Sequence, residues 1–369
     1  MNIPPINLKA QFKKVEKEVF QHLREILSEQ RLILGRFNGE LESTIAAYSG
    51  VPHAIACANG TDALILSLMA LGTREGDEVI TTPYTFFATA SSIVLMGAKP
   101  VFVDVEPKHL TIDPRAIEKA ITKKTKAIMV VHLFGRLCDM EKIGKIADER
   151  HLPIVEDMAQ SLGAGRDGRM SGSFGDIAAI SFYPTKNLGG IGEGGMVLTK
   201  RDDLGEKVRK LRVHGMGAVP YQHEMVGINS RLDEIKACAL VAKYPHLDAW
   251  NRKRRENARY YNKKLQGLPI LLPFIEDDTS HIFHHYVIRV DKRDELQAFL
   301  REKGVQTGVY YPVPLHLQDC FSYLGYKAGA CPVAEEAART SLALPVYPEL
   351  KKAEKDYILQ SVKEFFSSR

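Results

Sequence analysis

Between about residue 50 and residue 200, short apolar runs alternate with stretches whose hydrophobic positions recur at helical spacing. The runs are Ala54–Ala58, Glu78–Thr82, Pro100–Val105, Lys126–His132, Pro153–Glu156, Asp176–Tyr183 and Gly195–Thr199. Such alternation predicts an α/β fold built on an open, mostly parallel sheet. In sheets of this kind ligands bind beyond the carboxyl ends of the strands, so residues just after each run are where chemistry should collect. Residues 11–30 and 36–48 predict helices ahead of the sheet, and the amphipathic stretch 231–265 predicts long helices leading out of it. Further on, His285–Val290 reads as a strand and Arg293–Lys303, Glu335–Thr340 and Lys355–Phe366 as helices, a smaller C-terminal α+β domain. A chain of 369 residues exceeds the size at which one core stops growing, which also predicts two domains: a large one, 1–245, including the N-terminal helices, and a smaller one, 246–369.

Composition narrows the function classes. Hydrophobic residues make up 45% and charged residues 26%, as in an ordinary globular protein with a sizeable core. The net charge of +5 is spread along the chain, and runs such as Lys123-Lys124 and Arg252-Lys253-Arg254-Arg255 read as solvated helix faces. An anionic small molecule therefore suits this chain better than nucleic acid. Cys57, Cys138, Cys238, Cys320 and Cys331 are odd in number, widely separated and never in a C-x-x-C pair. That pattern argues against a disulfide framework or a metal site and for a reducing cytoplasm. The N-terminus lacks a basic segment followed by an apolar one, and no apolar run approaches a membrane span, so no membrane partner is expected.

The most informative segment is Ser181-Phe182-Tyr183-Pro184-Thr185-Lys186-Asn187-Leu188-Gly189-Gly190, at the end of a strand. A lysine in a loop stiffened by proline and opened by glycine can be approached closely by a planar ligand. Lysine forms Schiff bases with carbonyl cofactors once burial or cationic neighbours deprotonate its amine. Taken singly, a lysine near glycines is more often a solvated charge. Asp157, in Glu156-Asp157-Met158-Ala159-Gln160-Ser161, shifts the balance, since a carboxylate beyond a buried strand needs a cation and a protonated pyridinium nitrogen is one. Asn59-Gly60-Thr61-Asp62-Ala63-Leu64 opens a helix after the first strand, where backbone N–H groups and the Thr61 hydroxyl suit a phosphate. In Pro83-Tyr84-Thr85-Phe86-Phe87 an aromatic at a strand end is placed to stack on a flat ring. Taken singly, Asp157 reads rather as the cap of the next helix and the Phe86 aromatic as core, while Asn59–Leu64 fits an ordinary N-cap as well as a phosphate site.

Taken in order, these motifs resemble the DegT/DnrJ/EryC1/StrS family of fold-type I aminotransferases, mostly sugar-nucleotide aminotransferases of bacterial surface polysaccharide, lipopolysaccharide and antibiotic pathways. The resemblance extends to Leu34-Gly35, to Gly227-Ile228-Asn229-Ser230-Arg231-Leu232-Asp233-Glu234, to Tyr311-Pro312-Val313-Pro314-Leu315-His316-Leu317-Gln318 and to Leu344-Pro345. It implies pyridoxal 5'-phosphate as cofactor, with Lys186 its covalent anchor and the catalytic base. It further implies Asp157 at the ring nitrogen, Gln160 at the ring hydroxyl and Phe86 stacked on the ring. Gly60, Thr61 and Ser181 fall at the phosphate, with Asn229 reaching it from the neighbouring subunit of a homodimer. Relatives with histidine at the lysine position are dehydratases, so Lys186 implies transamination, with glutamate as the expected donor.

The substrate is less tightly specified. Tyr221, His223, Arg231 and His316 are the candidate groups for a nucleotide-linked keto sugar, UDP- or dTDP-bound. The Tyr311–Gln318 segment looks most like the branch acting at the C3 carbonyl, with a 4-keto sugar as the alternative. A non-catalytic regulator on the same fold is the rival from another class. Departures from the family pattern are Arg36 for a usual proline, Arg136 for a common glutamine and Met158 for a common alanine.

Overall fold

The computed structural model describes residues 1–275 and 279–367 of the chain. Along it come β1 (His53–Cys57), β2 (Glu78–Thr81), β3 (Lys99–Phe102), β4 (Thr125–Val131) and β5 (Ile154–Asp157). A small separate hairpin follows, β6 (Gly165–Arg166) and β7 (Arg169–Met170), then β8 (Ile177–Ser181) and β9 (Gly195–Thr199). Apart from the hairpin these form one seven-stranded sheet in the order β1-β9-β8-β5-β4-β2-β3. All pairs among β8, β5, β4, β2 and β3 are parallel, and β9 runs antiparallel to both its neighbours. Every apolar run read as a strand is one, with ends displaced by no more than three residues. The hairpin had no counterpart among the expected elements, because two-residue strands carry no periodicity.

Side chains leave a strand alternately to either face, and here both faces are buried. Ala54, Ala56, Ala178, Ile180, Met196 and Leu198 pack with Phe37, Leu41 and Ile45 of the helix Arg36–Ser49 and with Ala237 and Leu240 of Glu234–Lys243. Ile55, Cys57, Ile177, Ala179 and Val197 pack on the other face with Leu64 and Leu68 of Gly60–Ala70 and Leu204 and Val208 of Asp202–Leu211. The expected helix 11–30 is two helices, Leu8–Phe12 and Glu16–Glu29. The stretch 231–265 likewise divides, at Tyr244–His246, into Glu234–Lys243 and Leu247–Leu265. Pro245 lies at that break, since its ring has no N–H and crowds the carbonyl a turn earlier.

The helix Leu247–Leu265 joins two cores. Leu247 belongs to the sheet cluster, whereas Ala258, Tyr261 and Leu265 sit in a second cluster with Leu296, Leu300, Ile358, Val362 and Phe365. A two-stranded antiparallel sheet, β10 (Tyr286–Arg289) with β11 (Ser341–Leu344), completes this smaller C-terminal part. Ile3 also packs in this second core and bridges to Val305.

Glu234 explains why two distant motifs occur together. Its buried carboxylate accepts the N–H groups of Gly35 at 2.8 Å, Phe37 at 2.9 Å and Asn38 at 2.9 Å, and the Asn38 Nδ2 at 2.6 Å. The N-terminus of Arg36–Ser49 is thereby capped by an anion brought from almost two hundred residues away. A Cβ on Gly35 would lie 2.8 Å from the Glu234 Cδ, so only glycine leaves room for the carboxylate. Replacing Glu234 with alanine strands buried donors and is expected to cost on the order of 3 kcal/mol. A chemical-denaturation midpoint unchanged from wild type would show that this cap does not hold the helix.

Candidate active site

The carboxyl ends of β1, β5 and β8 open onto a cavity of about 800 Å³ that residues from the C-terminal part close from the other side. Gly60, Thr61, Phe86, Asp157, Gln160, Ser181 and Lys186 all line it. The antiparallel β9 begins at this edge, and Gly195 lies between Cys57 and Ser181 in the ladder. A Cβ there would sit 2.2 Å from the Asn59 carbonyl oxygen, so glycine is what lets the loop after β1 close down beside β8. Gly60 meets the same constraint, with a Cβ falling 2.7 Å from that of Ser181. The Asn59 side chain takes the Asp62 N–H at 2.8 Å. As the first residues of their helix, Gly60 and Thr61 hold N–H groups that the helix itself cannot satisfy. Together with the Thr61 and Ser181 hydroxyls these make a neutral cradle of donors suited to a phosphate.

Lys186 stands in the turn after β8, its N–H bonded to the Tyr183 carbonyl at 2.8 Å. Asn187 fixes this turn from behind: its Nδ2 donates to Asn251 Oδ1 at 2.6 Å, and its Oδ1 accepts from His284 Nδ1 at 2.9 Å. The buried Lys243 amine donates to the Gly189 carbonyl at 2.6 Å. The Lys186 amine is enclosed, and burial pushes its pKa down to about 8, against the opposing pull of the Asp157 carboxylate.

Asp157, the last residue of β5, is 6% exposed. Burial raises its pKa, while the Thr89 hydroxyl, which donates to Oδ2 at 2.9 Å, the Ala159 N–H, at 3.2 Å from Oδ1, and the charge of Lys186 act the other way. Such a carboxylate is receptive to a further cation. Gln160 is pinned at both ends, its Oε1 accepting the Phe134 N–H at 2.7 Å and its Nε2 donating to the Tyr311 hydroxyl at 3.2 Å. The Phe86 ring is 56% exposed and 6.1 Å from that of Tyr311. A lysine with a readily neutral amine, a buried carboxylate seeking a cation and a cradle for an anion in one cavity fit pyridoxal phosphate. Among the described residues no group of three or more His, Cys, Asp or Glu is placed to hold a metal.

Other residues singled out in the sequence lie elsewhere. Asn229 is exposed and accepts the Arg231 Nε at 3.0 Å. Tyr221 is 91% exposed, and His223 bonds through Nδ1 to the His214 carbonyl at 3.0 Å. None of these lines this chain's cavity, nor does His316, which is buried with Nε2 3.0 Å from Glu335. Arg36 is exposed and paired with Glu25 at 2.7 Å. Arg136 is buried and donates to the Phe274 carbonyl, and Met158 fills the sheet core. The cavity wall gains residues that had not been singled out as site residues: Thr85, Tyr183, Arg254, His284, His285 and Tyr311. His284 and His285 follow a loop with no motif of its own, so nothing local marked them. Burial, with the fields of Lys186 and Arg254, keeps both neutral, well below the usual imidazole range.

Comparison with known proteins agrees with this geometry. A protein from Geobacillus stearothermophilus named pleiotropic regulatory protein is 49% identical, with 99% of each chain covered. An Acidithiobacillus ferrooxidans protein named as a UDP-N-acetyl-3-dehydro-alpha-D-glucosamine 3-aminotransferase is 43% identical over 95% of this chain and 94% of its own. Among solved structures, Streptomyces venezuelae DesV in complex with a ketimine intermediate superposes with a TM-score of 0.96 at 40% identity, covering 99% of this chain and 98% of that one. The family profile matches residues 13–363, and the chain belongs to the DegT/DnrJ/EryC1/StrS aminotransferase family.

Proposed function

We propose that this chain is a pyridoxal-phosphate-dependent aminotransferase that carries an amino group from L-glutamate to the C3 carbonyl of a UDP- or dTDP-linked keto sugar, in the cytoplasm. Its product would serve surface polysaccharide, lipopolysaccharide or related amino-sugar synthesis. The observation that carries the reading is the meeting of Lys186, Asp157, Gln160 and the Gly60–Thr61 helix start in one cavity. Position C3 is supported by the 43% identical relative, named as a 3-aminotransferase, and by the Tyr311–Gln318 segment. The 49% identical relative bears a regulatory name, which favours a regulator as the second reading. An intact lysine, carboxylate and glutamine weigh against a chain that has lost turnover.

Bound in the cavity, the cofactor supplies an electron sink for the carbanion formed when the donor loses its Cα proton. Lys186 would hold it and would serve as the base that takes and returns the donor's Cα proton. Asp157 would hold a proton on the ring nitrogen, and a cation there would offset the burial that otherwise disfavours its charge. Gln160, fixed by Phe134 and Tyr311, is held ready for the ring hydroxyl. Gly60, Thr61 and Ser181 receive the phosphate.

The active unit in this reading is a homodimer in which Asn229 of the partner subunit completes the phosphate cradle. Exposed apolar side chains support it: Phe86 and Tyr183 at the cavity, and Ile191, Tyr221 and Val226 beyond it. In this pairing Asn229, exposed in the single chain, would have to reach the other chain's cavity.

Lys186→Ala is expected to abolish turnover with glutamate and every member of a panel of UDP- and dTDP-linked 3- and 4-keto sugars. Loss of acid–base assistance alone costs ~10²–10⁴-fold, and loss of the covalent anchor adds to it. Activity within about tenfold of wild type would remove Lys186 from this role. In the panel, wild-type turnover confined to 4-keto sugars would overturn the C3 assignment, and no turnover with any would favour the regulator.

Cofactor attachment needs the neutral Lys186 amine, which prevails above its pKa of about 8. Reconstitution of the cofactor-free protein, followed by visible absorbance, should therefore accelerate as pH rises through about 8 and then level off. Asp157→Asn removes a charge that favours the ammonium form, so its midpoint should move to lower pH, and the reconstituted variant should transaminate slowly. A midpoint that stays put, or a wild-type transamination rate, contradicts the pairing.

Dimeric sharing is tested by mixing inactive Lys186→Ala with an inactive, folded Asn229→Ala variant. A mixed dimer has one doubly defective site and one intact site, so activity should partly return after subunit exchange. Demonstrated exchange without recovery would place Asn229 outside the partner's site.

A further inference from the structure

Arg254 lines the same cavity from the helix Leu247–Leu265, 3% exposed. Its Nη1 donates to the carbonyls of His284 at 3.1 Å and Phe283 at 3.4 Å. The buried Nε has no hydrogen-bond partner, and Nη2 forms no bond within the described residues. Among the described residues Nη2 is thus left without a protein acceptor, and unlike Nε it is not sealed by its surroundings, so it is the donor able to receive a carboxylate. No carboxylate among the described residues pairs with it: Glu349, whose field reaches it, is 3.4 Å from Lys14 instead, and neither cavity-lining acid, Asp157 or Glu193, is an ion-pair partner. The neighbouring His284 and His285 are neutral and add no counter-charge. A buried cation without an anion is costly and is retained where something supplies that anion. Pro5, Ile6, Leu344, Pro345 and Val346 line the same cavity, an apolar wall suited to a short aliphatic chain.

We infer that Arg254 seats a carboxylate of the amino donor, and of the 2-oxo acid it leaves behind, on the unpartnered Nη2 of its guanidinium. The inference rests on the aminotransferase reading with glutamate as donor. A uronic keto sugar would offer the same chemistry, so the test separates the two sources.

The holoenzyme is titrated calorimetrically with glutarate, a dicarboxylate that has no amine and cannot react. Losing hydrogen bonds to a charged group costs enough that Arg254→Gln is expected to weaken glutarate about 10–100-fold and to raise the KM for glutamate similarly. Arg254→Lys keeps the charge but not the planar guanidinium, and should fall between wild type and Arg254→Gln. It also serves if the glutamine variant fails to fold for want of its carbonyl contacts. Wild-type glutarate affinity in either folded variant overturns the assignment. Separately, the pyridoxamine form is reacted with a neutral keto sugar and a uronic one. Equal small effects of Arg254→Gln on both support a donor subsite, whereas a loss confined to the uronic sugar overturns it in favour of the sugar's own carboxylate. If glutamate leaves the wild-type cofactor spectrum unchanged while glutarate binding still depends on Arg254, glutamate falls as donor and the carboxylate subsite stands.

Discussion

Burial acts against charge on both Lys186 and Asp157, and the chemistry of the site depends on that shared constraint. A lysine in water keeps its proton at neutral pH and is a poor nucleophile, and a carboxylate in water has little need of a partner. Enclosed together, the amine is readily neutral and the carboxylate lacks a full counter-ion. In the proposed reading, a cofactor held by the amine through its aldehyde and facing the carboxylate with its ring nitrogen would relieve both at once. Affinity and activation then come from the same desolvation.

Keeping two such groups apart from water and close to each other is the task of the sheet edge. The strands β5 and β8 are parallel neighbours, so Asp157 and Ser181 end at the same rim, and the Lys186 turn follows directly. The reversed direction of β9 places Gly195 at that rim with no side chain, which lets the Asn59–Thr61 turn settle beside Ser181. One residue back from Asp157, Glu156 points to the opposite face. Its fully buried carboxylate accepts from Gly172 N at 2.8 Å, Gly175 N at 2.5 Å and His132 Nε2 at 2.8 Å. Despite burial, those donors hold its pKa below the usual carboxylate range. Adjacent carboxylates on one strand therefore shift in opposite directions, because one is saturated with donors and the other is left open toward the cavity.

What the sequence made legible follows from the range over which each signal acts. The sheet strands were visible because continuous apolar runs leave a strong local trace, and Lys186 and Asp157 because each follows such a run within a few residues. The four-residue strand Ser341–Leu344 was not anticipated, since it directly continues the helix Pro332–Thr340 and is too short for a period of its own. Arg254 sat in a basic run that reads as solvated, yet the helix turns it inward while its neighbours Arg252 and Lys253 face out. His284, His285 and Tyr311 reach the cavity only because the second core folds back over the sheet, a relation set by packing of Tyr261, Tyr286 and Leu344 far along the chain.

The distribution of charge within the cavity bears on how the site is completed. Its charged lining groups are Lys186, Arg254, Asp157 and Glu193, while the rim formed by Gly60, Thr61 and Ser181 supplies only N–H and hydroxyl groups. A phosphate held there would meet the positive end of a helix and neutral donors. In the proposed homodimer a further donor for that phosphate would come from the partner subunit, and Asn229, exposed and bonded to the half-buried Arg231 at 3.0 Å, is the residue so proposed. Their bond to each other lies outside the pocket of their own chain, which is the arrangement a site completed by a second subunit requires.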